Sequence, residues 1–224
     1  MKNIEILYED EYSLIINKPA GLAVQGGEGV KTSLDRLLED YSQTKGGTEK
    51  PLLVHRLDKD TSGVLLAAKG REAAARFSKI FGADRKAVKL YTAVCACNER
   101  NTLLQEKEGI IKDELLIRGN LKKSETKYKV IKTGILEPDF KYAVLELELG
   151  TGRMHQIRRH LAMNGNPILG DDKYGDFTLN KKLRKAAELK RLLLHASRLI
   201  IRESYNIDIK APLPKYFHKY IQLV

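Results

Sequence analysis

Two polar stretches of this sequence hold side chains that could do chemistry. The first, His55-Arg56-Leu57-Asp58-Lys59-Asp60-Thr61-Ser62-Gly63, lies between the apolar runs Leu52-Leu53-Val54 and Val64-Leu65-Leu66-Ala67-Ala68. Such runs read as strands, and strand ends are where a rigid scaffold presents reactive groups. A carboxylate placed there can serve as a general base or as a nucleophile. The same residues also suit a plain charged turn, in which Asp60 and Ser62 bond local backbone amides. The second stretch, from Gly150 to His160, gathers three arginines and two histidines around a predicted helix start. His155 and Arg158, three apart, fall on one helix face beside Ile157. His155 and His160 are five apart, which is not the i, i+4 spacing of a zinc-binding helix.

Other apparent signatures fail on their details. Asp58 to Gly63 imitates the start of a calcium loop, but Lys69 stands where a bidentate glutamate is required. In Gly26 to Thr32, Val30 separates the last glycine from Lys31, which spoils a phosphate loop. Ser124 and Lys127 match a Ser-x-x-Lys pattern, with Lys132-Thr133-Gly134 too close behind to be its companion motif. Cys95 and Cys97, one residue apart on a predicted strand, suit neither a disulfide framework nor, as two thiolates alone, a structural zinc site.

The elements that must position these groups are legible from periodicity. Leu14-Ile15-Ile16 reads as a strand ending at Asn17-Lys18-Pro19-Ala20-Gly21. Thr32 is placed to cap a helix carrying Leu34, Leu37, Leu38 and Tyr41, with Asp35 in its first turn. Residues 71–81 predict a helix with Ala73, Phe77, Ile80 and Phe81 on one face. Strands are predicted at Leu90 to Ala96, Thr126 to Ile131, Tyr142 to Leu149, Leu192 to Ile201 and Tyr205 to Ile209. A helix starting near Met154 should bury Met154, Ile157 and Leu161 and stop at Asn164-Gly165-Asn166-Pro167. A further helix over 180–191 should carry a basic cluster. Strands and helices mix without regular βα alternation, which predicts an α+β domain with a mostly antiparallel central sheet.

The chain has 224 residues and a formal net charge of +11. It is long enough for a substantial core, and its 42% hydrophobic content excludes disorder. No apolar run approaches the roughly 18 residues of a membrane span and the N-terminus lacks a signal peptide's apolar stretch, so a cytoplasmic protein is expected. Residues 1–149 carry 25 basic and 23 acidic side chains, whereas residues 150–224 carry 15 and 6. A solvated helix face accounts for one run, such as Lys181 to Lys185. The whole asymmetry points to a polyanion, nucleic acid before a membrane surface.

His55-Arg56-Leu57-Asp58, Asp60-Thr61-Ser62-Gly63, Thr151-Gly152-Arg153 and His155-Gln156-Ile157-Arg158 together resemble the RluA-type pseudouridine synthases. Asn17 to Gly21, Lys89-Leu90-Tyr91, Gly170-Asp171-Asp172-Lys173-Tyr174-Gly175 and Leu194-His195-Ala196 extend the resemblance over nearly the whole chain. Ala23-Val24-Gln25-Gly26-Gly27, Ser124-Glu125-Thr126 and Asp171 to Gly175 look most like the RluC branch, which modifies large-subunit ribosomal RNA. Two features depart from the pattern. No S4-type RNA-binding domain precedes Tyr8-Glu9-Asp10-Glu11, so residues 1–224 read as a single catalytic domain. Arg202-Glu203-Ser204 stands where the branch has a His-Pro pair.

The resemblance implies an enzyme that breaks the N1 glycosidic bond of a uridine, rotates the bound uracil and joins C5 to the same ribose carbon, without metal or cofactor. Asp58 would be the catalytic aspartate, as nucleophile or as base. Arg158 would pair with it and hold it ionised. Tyr91 would lie against the uracil and act on the C5 proton. Arg56 would enter the space left by the flipped base, a role that a stacking guanidinium suits. Arg153 and the 181–191 cluster would follow the RNA backbone. The expected partner is RNA, 23S ribosomal RNA before tRNA, engaged by a monomer. The competing reading is a non-catalytic RNA-binding or chaperone protein on the same fold, and the two diverge at Asp58.

Overall fold

Branched and aromatic side chains pack well on a pleated surface, and the runs that hold them form the strands of this chain. The computed structural model describes residues 4–47, 49–82, 84–97, 105–117, 119–136, 140–202 and 205–221. Glu203 and Ser204, part of the departure from the family pattern noted above, lie outside the described residues. The chain divides into two compact units, one of residues 1–89 and 196–212, the other of residues 90–195 and 213–224.

In the first unit, β1 (Glu5–Glu9) pairs antiparallel with β2 (Ser13–Lys18). The helix α1 (Leu34–Thr44) buries Leu34 and Leu38. The short β3 (Leu52–Leu53) and the long β4 (Ser62–Ala68) are antiparallel partners, and β4 also pairs with β2. Next comes α2 (Arg71–Phe81), whose Ala73, Phe77 and Ile80 pack with Ile15, Val64 and Leu66. Ile207 belongs to the same core and lies on β10 (Ile207–Lys210), which pairs with β9 (Leu194–Ile201) along Arg198 to Ile201. Gly63 has φ +115°, and a Cβ there would stand 2.1 Å from the Ala196 carbonyl oxygen. Only glycine lets these backbones approach so closely.

The second unit is built on β5 (Ala87–Ala96), β6 (Glu108–Ile117), β7 (Asn120–Leu136) and β8 (Phe140–Leu149), antiparallel in the order β5-β8-β7-β6. Ala93, Leu145 and Leu147 are fully buried. The helices are α3 (Gln156–Met163), α4 (Phe177–Ala186) and α5 (Lys215–Ile221). Gly170, at φ +76°, passes so close to Arg191 that a Cβ would meet the Arg191 carbonyl oxygen at 2.1 Å. The antiparallel sheets with flanking helices are the α+β architecture that the irregular element order predicts. Cys95 and Cys97 are free thiols.

Several local expectations are corrected. Ser33, not Thr32, precedes the first turn of α1, and its side chain makes no capping hydrogen bond. Met154 is 56% exposed instead of buried, because α3 starts at Gln156 after a left-handed residue, His155 at φ 53°. That residue breaks the helical phase that would have carried Met154 inward. The basic helix runs over Phe177–Ala186, not 180–191, capped by Asp176 Oδ1 accepting the Leu179 N–H at 2.9 Å. β6 was not predicted, and β7 is far longer than Thr126 to Ile131.

His55 lies where β3 has ended and β4 continues. Its Nε2 accepts the Leu66 backbone N–H at 3.0 Å and its ring stacks on Phe81 with centroids 4.1 Å apart. The imidazole thus replaces a missing strand as hydrogen-bond acceptor, which demands the neutral ring. Desolvation, with Lys89 adding to it, lowers its pKa from the ordinary 6.5 to about 3.

Two predictions follow from this packing. Gly63→Ala should cost roughly 3 kcal/mol or more through the clash with Ala196, whereas Gly70→Ala, at φ +86° with nothing within 4 Å of a new Cβ, should cost only about 1 kcal/mol. Urea denaturation of the two variants checks this, and equal losses would refute it. For His55, the unfolded ring takes up a proton below about pH 6.5 while the folded ring resists it until about pH 3. Its contribution to stability is therefore complete above pH 6.5 and declines as pH falls through that window. His55→Gln, which keeps an acceptor for Leu66 but cannot titrate, should show a flatter fall in stability between pH 7 and pH 4.

Candidate active site

The first polar stretch forms a loop from His55 to Thr61, closed by a turn in which the Thr61 N–H donates to the Asp58 carbonyl at 3.2 Å. Arg56 is exposed, Leu57 buried and Asp58 half-buried, so the loop is pinned by its leucine and offers its charged groups. Beneath it lies Lys18, fully buried at the end of β2. Its Nζ donates to the carbonyls of Pro19 at 2.9 Å, Leu22 at 2.9 Å and Lys59 at 3.0 Å. The Gly21 N–H donates to the same Lys59 carbonyl at 2.8 Å. Burial lowers the Lys18 pKa to about 8, with Asp60 and then Asp58 opposing the shift. Even so lowered, Lys18 is mostly protonated at neutral pH. One buried ammonium therefore holds the Asp58 turn against the segment that follows β2.

The second unit carries the other candidates. Tyr91, 7% exposed, stands on β5 opposite Leu147 of β8. The segment 150–155 is tied to β7 by Gln156, itself only 2% exposed. The Gln156 Oε1 accepts the Thr151 hydroxyl at 2.6 Å and the Arg153 N–H at 3.1 Å. Its Nε2 donates to the Glu125 carbonyl at 2.8 Å and to Thr126 Oγ1 at 2.9 Å. All four hydrogen-bonding valences of one amide are used, which fixes its orientation and with it the loop bearing Arg153. The Arg153 side chain is half-buried, and its Nε reaches the Lys123 carbonyl at 3.4 Å. A second tie joins α3 to β7: Ser124 donates to the Asp113 carbonyl at 2.9 Å, so its 2.8 Å contact with His160 has the ring Nε2–H donating.

Arg158 is buried, with 4% exposure. Its Nε and Nη2 donate to Asp171 Oδ2 and Oδ1, both at 2.8 Å, and Nη2 also reaches Asp172 Oδ1 at 3.3 Å. The structure thus gathers Arg56 and Asp58 on one loop of the first unit, and Tyr91, Arg153 and Arg158 on β5 and around α3 in the second. Among the described residues, no group of three or more His, Cys, Asp and Glu converges as metal ligands would.

Three residues with evident structural work had no role assigned from sequence. A lysine at the end of the apolar run Leu14-Ile15-Ile16 was the signal for Lys18. Asp171, two residues before Lys173 and three before Tyr174, accepts both their N–H groups at 2.9 Å, the pattern of an aspartate-initiated turn. Gln156 gave no signal beyond its place in a motif, because the β7 partners that it bridges to, Glu125 and Thr126, lie some thirty residues earlier.

Residues 12–163 match the family described as RNA pseudouridylate synthase, a span that holds Asp58, Tyr91, Arg153 and Arg158. A Rickettsia felis protein named ribosomal large subunit pseudouridine synthase C is 37% identical over 222 residues, covering 95% of this chain and 68% of that protein. A Buchnera aphidicola protein of the same name is 36% identical, covering 96% of this chain and 69% of its own length. The solved structure of human RNA pseudouridylate synthase domain containing 4 superposes with a TM-score of 0.78 at 27% identity, covering 97% of this chain and 92% of the other. Sequence motifs, fold and relatives agree: the chain belongs to the RluA-type family of RNA pseudouridine synthases, enzymes that isomerise uridine in RNA to pseudouridine.

Proposed function

We propose that this protein isomerises one or more uridines of large-subunit ribosomal RNA, with Asp58 beginning the reaction and no metal or organic cofactor taking part. The substrate assignment draws on relatives named as large-subunit ribosomal synthases. The observation that carries the role of Asp58 is its placement: a half-buried carboxylate on a turn whose backbone is held by the buried Lys18 ammonium. A group that must meet a ribose or a uracil at bonding distance gains from being fixed before substrate arrives.

In this reading Arg158 pairs with Asp58 and keeps it ionised and aimed. The N1 glycosidic bond breaks, the uracil turns within the site, and C5 bonds to the ribose carbon that N1 left. The C5 proton then departs with Tyr91 as the nearby base, and N1 gains a proton. A buried phenol is suited to that task only where water is kept away, and Tyr91 is 7% exposed. A uridine stacked in a helix must be flipped out first, and Arg56, exposed on the Asp58 loop, fills the vacated space. Arg153 and the exposed Lys181, Lys182, Arg184 and Lys185 of α4 follow phosphates.

Tritium release from RNA labelled at uridine C5 tests the chemistry. Protein-free large-subunit ribosomal RNA should release tritium with the unmodified protein, and Asp58→Asn should slow release by about a thousandfold or more while binding RNA normally. Unchanged release would remove Asp58 from the mechanism, and release from tRNA alone would replace the ribosomal assignment. For α4, Lys181→Gln combined with Lys182→Gln should lower the slope of log affinity against log salt by about 1 to 2. An unaltered slope would place the RNA elsewhere.

A further inference from the structure

A guanidinium with 4% exposure must have its charge and donors met within the protein. For Arg158 the carboxylate of Asp171, itself 1% exposed, does this side-on with two parallel bonds. Asp171 is in turn aimed by its surroundings. Its Oδ1 accepts the N–H groups of Lys173 and Tyr174, and its carbonyl accepts Asn180 Nδ2 at 2.9 Å. The Asn180 Oδ1 accepts the Gly170 N–H at 2.9 Å, so α4 clamps both ends of the Gly170-Asp171 segment. Burial alone would raise the Asp171 pKa, but the Arg158 bonds and the two amides hold it below the usual carboxylate range.

A second constraint comes from a different direction. The Arg158 guanidinium lies over the Tyr174 ring, 5.3 Å from its centroid. Tyr174 is held by a 3.0 Å contact between its hydroxyl and His155 Nδ1. A bidentate carboxylate fixes a guanidinium within its plane, and a ring against its face fixes the tilt of that plane. Arg158 therefore has its orientation determined before any substrate or Asp58 contact is considered. Asp171 also balances its charge, so Arg158 can act as a directed donor and not as an unpaired buried cation.

We propose that Asp171 and Tyr174 are positioning residues for the isomerisation, acting through Arg158. The proposal rests on the reading that Arg158 aims Asp58. Single-turnover tritium release with saturating enzyme is the measurement, made on Asp171→Asn, Tyr174→Leu, Arg158→Ala and the Asp171→Asn/Arg158→Ala double variant. Asp171→Asn retains acceptors for Lys173 and Tyr174 but loses the charged fork. It should reduce the rate about 10- to 100-fold with little change in the RNA concentration for half-saturation. Tyr174→Leu should show the same split, and its result decides the matter if Asp171→Asn does not fold. The double variant should be no slower than Arg158→Ala alone. If Arg158→Ala keeps the unmodified rate, the underlying reading of Arg158 fails. If Arg158→Ala is slow while Asp171→Asn and Tyr174→Leu are fast, the positioning proposal fails and that reading stands. A double variant slower than Arg158→Ala by the full single effect would also overturn the proposal, because Asp171 would then act by another route.

Discussion

An ammonium ion sealed from water requires three oxygens arranged around it, and Lys18 obtains them from segments with no regular structure of their own. Pro19 and Leu22 contribute from the chain just after β2, and Lys59 contributes from the Asp58 turn. Without this cation the Pro19 and Leu22 carbonyls would lose the Lys18 donor, at a cost of roughly 1–3 kcal/mol for each one left buried and unmet, while the Lys59 carbonyl would keep only the Gly21 N–H. Without the carbonyls the charge itself could not remain inside. The two loops and the lysine are thus mutually dependent. This dependence ties the irregular Asp58 loop to the segment that follows β2 without any strand pairing between them.

The second unit solves a similar problem with different means. Arg158 is neutralised by a carboxylate, whereas the lysines and arginine on the outer face of α4 are left to water. Gln156 supplies what neither charge can, a neutral group with two donors and an acceptor that bridges the 150–155 segment to β7. His55 and His160 are both kept in the neutral form, chiefly by burial, and each has a defined hydrogen-bonding partner. These two imidazoles therefore stay neutral at neutral pH, while the buried Lys18 ammonium, with its pKa lowered to about 8, is the loop-shaping group that titrates nearest to it.

Much of this was legible in the residues. The boundaries of α2 coincide with the predicted 71–81, because Ala73, Phe77 and Ile80 repeat at helical spacing and nothing competes with them. β6 has no clear strand pattern in the sequence because Lys112, Asp113 and Glu114 interrupt its apolar residues, and pairing with β7 across a long hairpin supplies what local propensity does not. The expected 180–191 overshoots the basic helix because charge continues to Arg191 while α4 ends at Ala186; charge marks a surface and not a helix end. The roles proposed for Asp58, Tyr91 and Arg158 come from motifs, which preserve order along the chain. The supporting roles of Lys18, Gln156 and Asp171 depend on what lies opposite them in space, which spacing alone does not encode.

His155 adopts φ 53°, a backbone conformation in which asparagine or glycine is more at ease. A side chain there costs on the order of 1 kcal/mol relative to glycine. In return, an imidazole reaches Tyr174 from the residue that opens α3. Selection for thermal endurance alone would favour relieving this position, and a library screened only for heat resistance would tend to enrich such replacements. The less comfortable residue stands at the entrance to the helix that bears Arg158. The strained backbone at His155 is thereby coupled, through the Tyr174 ring, to the tilt of the Arg158 guanidinium.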